Sequence, residues 1–298
     1  MQPGISTHIF LPERLTPGRL DTLHAAGAQV IEVFASRHHF DYADRSAVRD
    51  IAAWFRAHPV AATMHMPLFT AEDEAIWSRH TAASLNLIDT SKSARIAAMD
   101  EVKRALEAAE QIAFRSCVLH LGRNDDTWDT RALDDSMTSL EHLKAFAGPL
   151  GVKLLLENLN NDVATPEHLA EIVTVGHFST VGFCLDLGHA NLVQGTPETS
   201  HAPAKTGIDL AFEAFSSVLG DRLIELHVHD NHGGDSGSGK DEHLWPGDGT
   251  ADFAAVDRHI AALKTKPAGI LEIAYDLTAD IAEITRRAQR ATEIMANL

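Results

Sequence analysis

The chain has 298 residues, of which 45% are hydrophobic and 22% are charged, so it is long enough to bury a large core. Its 25 basic and 42 acidic residues give a formal net charge of -17, which argues against a nucleic-acid partner held by overall charge. No apolar run approaches the roughly 18 residues that a membrane span requires, and no basic-then-apolar leader follows Met1. We therefore expect a cytoplasmic protein.

Short apolar runs rich in Val, Ile and Leu recur along the chain and predict eight β-strands. Most of them lack strict alternation, which suits parallel strands that are buried on both faces. Cys117 and Cys184 fall in such runs, and we expect reduced core thiols there. The predicted strands are Gly4–Phe10, Val30–Ala35, Val60–His65, Cys117–Leu121, Val152–Glu157, Val181–Asp186, Ile224–His229 and Gly269–Ala274.

Helical periodicity fills the intervals between these runs. In Lys92–Phe114 apolar residues recur at three and four positions from Ile96 onward, and Asp280–Leu298 repeats the pattern from Ile281. Each interval has room for one helix, because a βα unit needs about 30 residues. The alternation predicts a single α/β domain over residues 1–298, a (β/α)8 TIM barrel with its active site at the C-terminal face. A doubly wound open sheet is the alternative.

Metal-competent side chains stand at the ends of six predicted strands and in the loop after the seventh. A closed barrel would gather these side chains at one end, where the long segments Met66–Ser91 and Asp230–Gly249 also emerge. The residues are His65, His120, Glu157, Asp186, His189, His227, His229, Asp241, His243 and Glu272.

Two of these carboxylates lie in strongly apolar surroundings. Glu157 follows three leucines, and Glu272 stands between Leu271 and Ile273. A buried carboxylate without a partner costs several kcal/mol, and two at one barrel end repel each other unless a positive group lies between them. No Lys or Arg occurs in these strand ends, so we expect a divalent metal. Imidazole and carboxylate without thiolate favour zinc, manganese, iron(II) or cobalt.

The residue series HMP, LHLG, LLLEN, LDLGHA, HVHDN, DEHLWPGDG and LEIA resembles the xylose-isomerase-like TIM barrels. This superfamily includes sugar isomerases and epimerases, the sugar phosphate isomerase group, inosose-type dehydratases and isomerases, and the endonuclease IV type of AP endonuclease. The resemblance runs from about His65 to Glu272 and covers most of the chain. It implies a metal-dependent enzyme that contains one to three ions, with zinc or manganese the foremost candidates.

The resemblance to sugar isomerases implies one metal held by Glu157, Asp186, His227 and Glu272. The two glutamates would also transfer the proton through an enediolate, one removing it and the other returning it. His189, His229 and Arg37 are then candidates to bind hydroxyl groups of a small sugar or polyol. The oligomeric state stays open, a homodimer included.

The resemblance to the nuclease implies up to three zinc ions. It adds five positions to the ligand set, namely His65, His120, His189, Asp241 and His243. Three features argue against phosphodiester hydrolysis: Leu68-Phe69 replaces the Tyr-Leu pair that probes DNA, His229-Asp230 replaces Asn-Asp, and the overall charge is acidic. We therefore predict a sugar or polyol isomerase or epimerase. A zinc-dependent AP endonuclease, an inosose-type dehydratase or isomerase, and a binding protein without turnover remain alternatives.

Overall fold

Eight parallel strands form a closed barrel in the computed structural model. Each strand pairs with the next one in the chain, and β8 pairs with β1. The structure describes residues 1–78, 81–200, 202–219, 221–234, 240–276, 278 and 280–297. The strands are β1 (Gln2–Ser6), β2 (Val30–Phe34), β3 (Ala61–His65), β4 (Phe114–Leu119), β5 (Lys153–Glu157), β6 (Gly182–Asp186), β7 (Leu223–Val228) and β8 (Ala268–Leu271).

Helices follow the strands, and short polar side chains cap their first turns. Thr16 and Asp129 accept hydrogen bonds from backbone N–H groups in the first turns of α1 and α5, which satisfies donors that the helix leaves free. The helices are α1 (Pro17–Ala25), α2 (Arg45–Ala57), α3 (Ala71–Ala75), α4 (Lys92–Leu106), α5 (Thr130–Ala147), α6 (Pro166–Val175), α7 (Leu187–Leu192), α8 (Gly207–Leu219), α9 (Phe253–Ala262) and α10 (Ile281–Asn297).

The sheet separates two apolar regions of very different size. The large core lies between the strands and the helices, whereas a small cluster of Val118, Leu155 and Cys184 is separate from it. Side chains two positions apart on a strand point to the same face. Glu157, Asp186 and their neighbours at strand ends therefore continue the face of this small cluster, inside the barrel and toward its carboxyl end.

The closed barrel confirms the predicted fold and excludes the open sheet. Cys117 and Cys184 are free and buried, as the sequence indicated. None of the described helices is long and apolar enough to cross a membrane.

Several predicted boundaries are wrong. The first strand ends at Ser6, because Ser6 accepts a backbone N–H and residues Thr7–Phe10 turn into a 3-10 helix. The helix predicted over Lys92–Phe114 stops at Leu106, and a 3-10 turn leads into β4, which begins at the buried Phe114.

The other errors are of one to three residues at strand ends, or concern single residues on helices. The fourth strand ends at Leu119 and the eighth at Leu271, so that His120 and Glu272 directly follow their strands. Ile96 and Ile281 are exposed rather than part of the core, each being 43% accessible; Ile96 lies in the first two turns of α4 and Ile281 is the first residue of α10.

Candidate metal centre

The carboxyl ends of β5 to β8 bring four metal-competent side chains together. Glu157 ends β5, Asp186 ends β6, His227 lies in β7 and Glu272 directly follows β8. One ligand atom from each of the four lies within 4.8 Å of the others, and all four residues are buried. We call these four residues the central group. Its carboxylates are close enough for a single ion to join them.

Two further groups adjoin the central group. His120 Nε2 lies 3.0 Å from His65 Nε2 and 2.9 Å from Glu157 Oε2, so Glu157 belongs to both this group and the central one. We call His65, His120 and Glu157 the β3–β4 group. Ligand atoms of His229, Asp241 and His243 also converge within 4.8 Å, and we call these the β7-loop group.

Backbone carbonyls orient three of the histidine rings. Nδ1 of His65, His189 and His243 each donates to a backbone carbonyl oxygen at 2.8 Å. The opposite nitrogen therefore faces the cluster: Nε2 of His189 and of His243 lie 3.0 and 2.9 Å from Asp241 Oδ2. A hydrogen bond at one ring nitrogen fixes which nitrogen can bind a metal, and these contacts leave Nε2 for that purpose.

Histidine rings supply the positive charge that balances the buried carboxylates when no metal is bound. Burial alone would raise the pKa of Glu157 and of Glu272, but the charge of His227 holds the pKa of both carboxyls well below the usual range. Burial alone would lower the pKa of His243, but the Asp241 carboxylate raises this pKa to about 10. A metal ion that binds here must therefore displace protons.

The donor set fits a divalent transition metal. It consists of imidazole nitrogens and carboxylate oxygens, without thiolate, which suits zinc or manganese better than magnesium or calcium. Nδ1 of His229 is buried, has no hydrogen-bond partner among the described residues and lies 3.8 Å from Asp241 Oδ1.

Comparison with known proteins identifies the family. Residues 20–295 match the family described as xylose isomerase-like TIM barrel. The chain belongs to this family. An uncharacterized protein of Methanocaldococcus jannaschii is 26% identical over 263 residues, which are 86% of this chain and 78% of that protein. A probable endonuclease 4 of Natronomonas pharaonis is 28% identical over 181 residues, which are 58% of this chain and 60% of that protein.

Two solved structures share the fold of this chain. A D-tagatose 3-epimerase-like protein superposes with a TM-score of 0.74 at 21% identity, over 100% of this chain and 96% of that one. The IOLI protein with a binding zinc atom superposes with a TM-score of 0.76 at 18% identity, over 98% and 96% of the two chains. At these identities the two structures show that the fold is shared.

The structure distinguishes two histidines that the sequence left equivalent. His227 lies in the central group, with Nδ1 at 3.2 Å from Glu157 Oε1 and 3.0 Å from Glu272 Oε2. His229 lies in the β7-loop group and reaches the central one through Nε2, which donates to Asp186 Oδ2 at 2.9 Å. Both rings are fully buried.

Arg37, the remaining predicted substrate residue, is tied to a helix instead of facing the three groups. Its guanidinium donates to both carboxylate oxygens of Glu101 on α4, at 2.7 and 2.8 Å, and lies over the ring of Tyr42. This bidentate pair attaches the loop after β2 to the outer helix layer.

Sequence reasoning missed three residues beside the central group. Glu32 and Glu225 lie within apolar strands, the same signal that pointed to Glu157, and both are buried. Ser116 Oγ donates to Glu225, and burial together with Glu32 raises the pKa of Glu225 to about 7. His8 follows β1, and its ring centroid lies 5.2 Å from that of His243.

Proposed function

We propose that this xylose isomerase-like protein is a metal-dependent isomerase or epimerase of a small, unphosphorylated sugar or polyol. The observation that carries the proposal is the central group, in which two glutamates and an aspartate converge on one histidine inside the barrel mouth. A divalent metal held by Glu157, Asp186, His227 and Glu272 would supply Lewis-acid chemistry, which acidifies a proton on carbon next to a carbonyl.

The two glutamates have the geometry for proton transfer. Each carboxylate has two oxygens, so one can face the metal while the other accepts or donates a proton at the substrate carbon. In this proposal one of Glu157 and Glu272 removes the proton from carbon, and the other returns a proton to the adjacent carbon in an isomerisation or to the opposite face of the same carbon in an epimerisation. Asp186 and His227 hold the metal without exchanging a proton with the substrate.

The charge of the surrounding loops supports an uncharged substrate. Arg37 forms an ion pair with Glu101. Arg123 lies in the loop after β4, with its guanidinium 3.4 Å from the carboxylate of Asp89. These two arginines are therefore already paired with carboxylates, whereas phosphate sites normally supply unpaired guanidinium, ammonium or backbone N–H groups. Substrate hydroxyls could instead be bound by the histidines of the β7-loop group.

Hydrogen exchange tests this function directly. Metal-loaded protein is incubated in D2O with a panel of ketoses, aldoses and inososes, and deuterium incorporation at carbon is followed by NMR. We expect metal-dependent incorporation into at least one neutral polyol and its loss after chelation. Substitution of Glu272→Gln should abolish incorporation. Absence of exchange into every polyol, by protein shown to be metal-loaded, would contradict the proposal.

Phosphodiester hydrolysis at abasic DNA is the second candidate function. The β3–β4 and β7-loop groups provide for additional ions, and endonuclease 4 proteins are among the relatives. The positions expected to probe DNA argue against it. Phe69 is buried and Leu68 packs against the core, so neither is free to act as a wedge in a duplex. We expect no useful nicking of an oligonucleotide with one abasic site.

A further inference from the structure

The ring of His227 is held differently from those of three other histidines at the barrel mouth. His65, His189 and His243 donate Nδ1–H to backbone carbonyls and present Nε2. His227 presents Nδ1 to the central group, and its Nε2 lies 3.1 Å from a side-chain oxygen, Oε2 of Glu32. The nitrogen opposite the central group is therefore held by a side chain and not by the backbone.

Glu32 is well placed to fix that ring. It lies in β2, near the middle of a five-residue strand that is buried throughout, and it reaches His227 of β7 from another part of the barrel wall. Both side chains have no accessible surface, so water cannot take over as the acceptor. The second oxygen of Glu32 has no hydrogen-bond partner among the described residues. Burying a carboxylate with one oxygen unpaired costs free energy of folding. This cost indicates that the hydrogen bond between the other oxygen of Glu32 and His227 has a role.

We propose that Glu32 is a positioning residue, which accepts the Nε2–H of His227 and thereby turns Nδ1 toward Glu157, Glu272 and the metal that they would share. This inference rests on the metal-dependent function proposed above. Removal of the acceptor frees the ring to rotate or to adopt the other tautomer, and either change weakens the metal site. Loss of such a carboxylate partner typically lowers metal affinity about 10- to 100-fold.

Three variants separate this role from a general effect on the core. Glu32→Met removes the acceptor at similar volume, and Glu32→Gln keeps one acceptor oxygen. Glu74→Gln is the matched control, because Glu74 is a buried carboxylate on α3 that is outside the three metal-competent groups. Each metal-free variant is first compared with the unsubstituted protein by thermal unfolding. Metal affinity is then measured by competition with a chelator, the stoichiometry by titration, and the geometry by the visible spectrum of bound Co2+.

We expect about 10-fold weaker binding for Glu32→Gln and up to about 100-fold weaker binding for Glu32→Met, with an altered Co2+ spectrum in both. Glu74→Gln should bind within twofold of the unsubstituted protein. If Glu32→Met does not fold, Glu32→Gln alone decides. Unchanged affinity in the Glu32 variants, or an equal loss in Glu74→Gln, overturns the positioning role.

Two other outcomes are distinct from these. Glu32, Glu225 and His227 offer ligand atoms within 4.8 Å of one another and could themselves bind an ion. If the Glu32 variants lose one whole equivalent of metal while the remaining ions bind as before, Glu32 is a ligand and the inference is overturned. If the unsubstituted protein binds no transition metal at all, the proposed function itself fails, and the inference fails with it.

Discussion

Asp230 anchors the loop that carries two residues of the β7-loop group, and we expect its replacement to lower the free energy of unfolding. It follows β7 and is buried. Its carboxylate accepts four backbone hydrogen bonds: Oδ1 from Asn231 at 2.8 Å and Ala251 at 3.0 Å, and Oδ2 from Gly247 and Gly249 at 2.9 Å each. One side chain thus ties both ends of the segment after β7 together.

Substitution Asp230→Asn keeps one acceptor oxygen and replaces the other by an NH2 group, so that two N–H groups lose their acceptor. Hydrogen bonds to a charged group contribute about 1.5–3 kcal/mol each. Gly247 is exposed and can bond to water, which favours the lower value. We therefore expect the free energy of unfolding to fall by about 3 kcal/mol, twice the lower figure.

Urea denaturation of the metal-free protein measures this loss. The matched control is Asp248→Asn in the same loop: Asp248 pairs with Arg287 at the surface, where its side chain is 47% exposed, and such pairs contribute about 0–1 kcal/mol. Metal titration should show weaker binding in Asp230→Asn, because Asp241 and His243 lie in the anchored segment. A loss below about 1 kcal/mol in Asp230→Asn, or an equal loss in the control, would refute the argument.

Three further outcomes follow from the centre and its surroundings. Glu157→Gln should weaken metal binding at both groups that share Glu157 and abolish turnover, while circular dichroism of the metal-free protein stays unchanged. Metal affinity should fall as the pH falls below about 10, because metal must displace the proton that Asp241 stabilises on His243; calorimetry in two buffers would detect the released protons. Burial raises the pKa of Glu74 from 4.5 to about 7, so its protonated form stabilises the fold at low pH and this contribution is lost as the pH rises through 7. Glu74→Gln should therefore raise the melting temperature relative to the unsubstituted protein at pH 8 but not at pH 5; a gain that is equal at both pH values would contradict this.

The sequence predicted the barrel and the gathering of polar side chains because both depend on periodicity. Short apolar strands that alternate with helices define the fold, and a carboxylate after three leucines is costly to bury wherever the strand lies in space. The same signal was present at Glu32, between Ile31 and Val33, but its position within the strand rather than at the end left it unnoticed. In a barrel whose inner layer is polar, a carboxylate within an apolar strand therefore indicates a polar site, just as one at a strand end does.

The division into three groups could not be predicted from spacing. His227 and His229 lie two residues apart, but a strand advances about 3.3 Å per residue, so their rings lie at different depths. Both contact Asp186, at 3.8 and 2.9 Å, but His227 also lies against Glu157 and Glu272, whereas His229 lies near Asp241. Which nitrogen of a ring faces the cluster depends on a carbonyl or carboxylate supplied by another strand, such as Glu32 for His227. Contacts of this kind join residues far apart in the chain, and no local pattern records them.

The charge balance of the cluster predicts that the barrel would fold without a bound metal. In a metal-free protein, protonated rings such as His227 and His243 would balance the charge of Glu157, Glu272 and Asp241, and binding of a metal would then replace these protons. The large apolar core lies on the other side of the sheet, between strands and helices, and does not involve these groups. Metal removal should therefore lower the melting temperature by mass action yet leave a folded barrel, unlike a zinc finger, whose fold depends on its ion. For this reason metal affinity and the stability of the metal-free protein can be measured separately on every variant that folds.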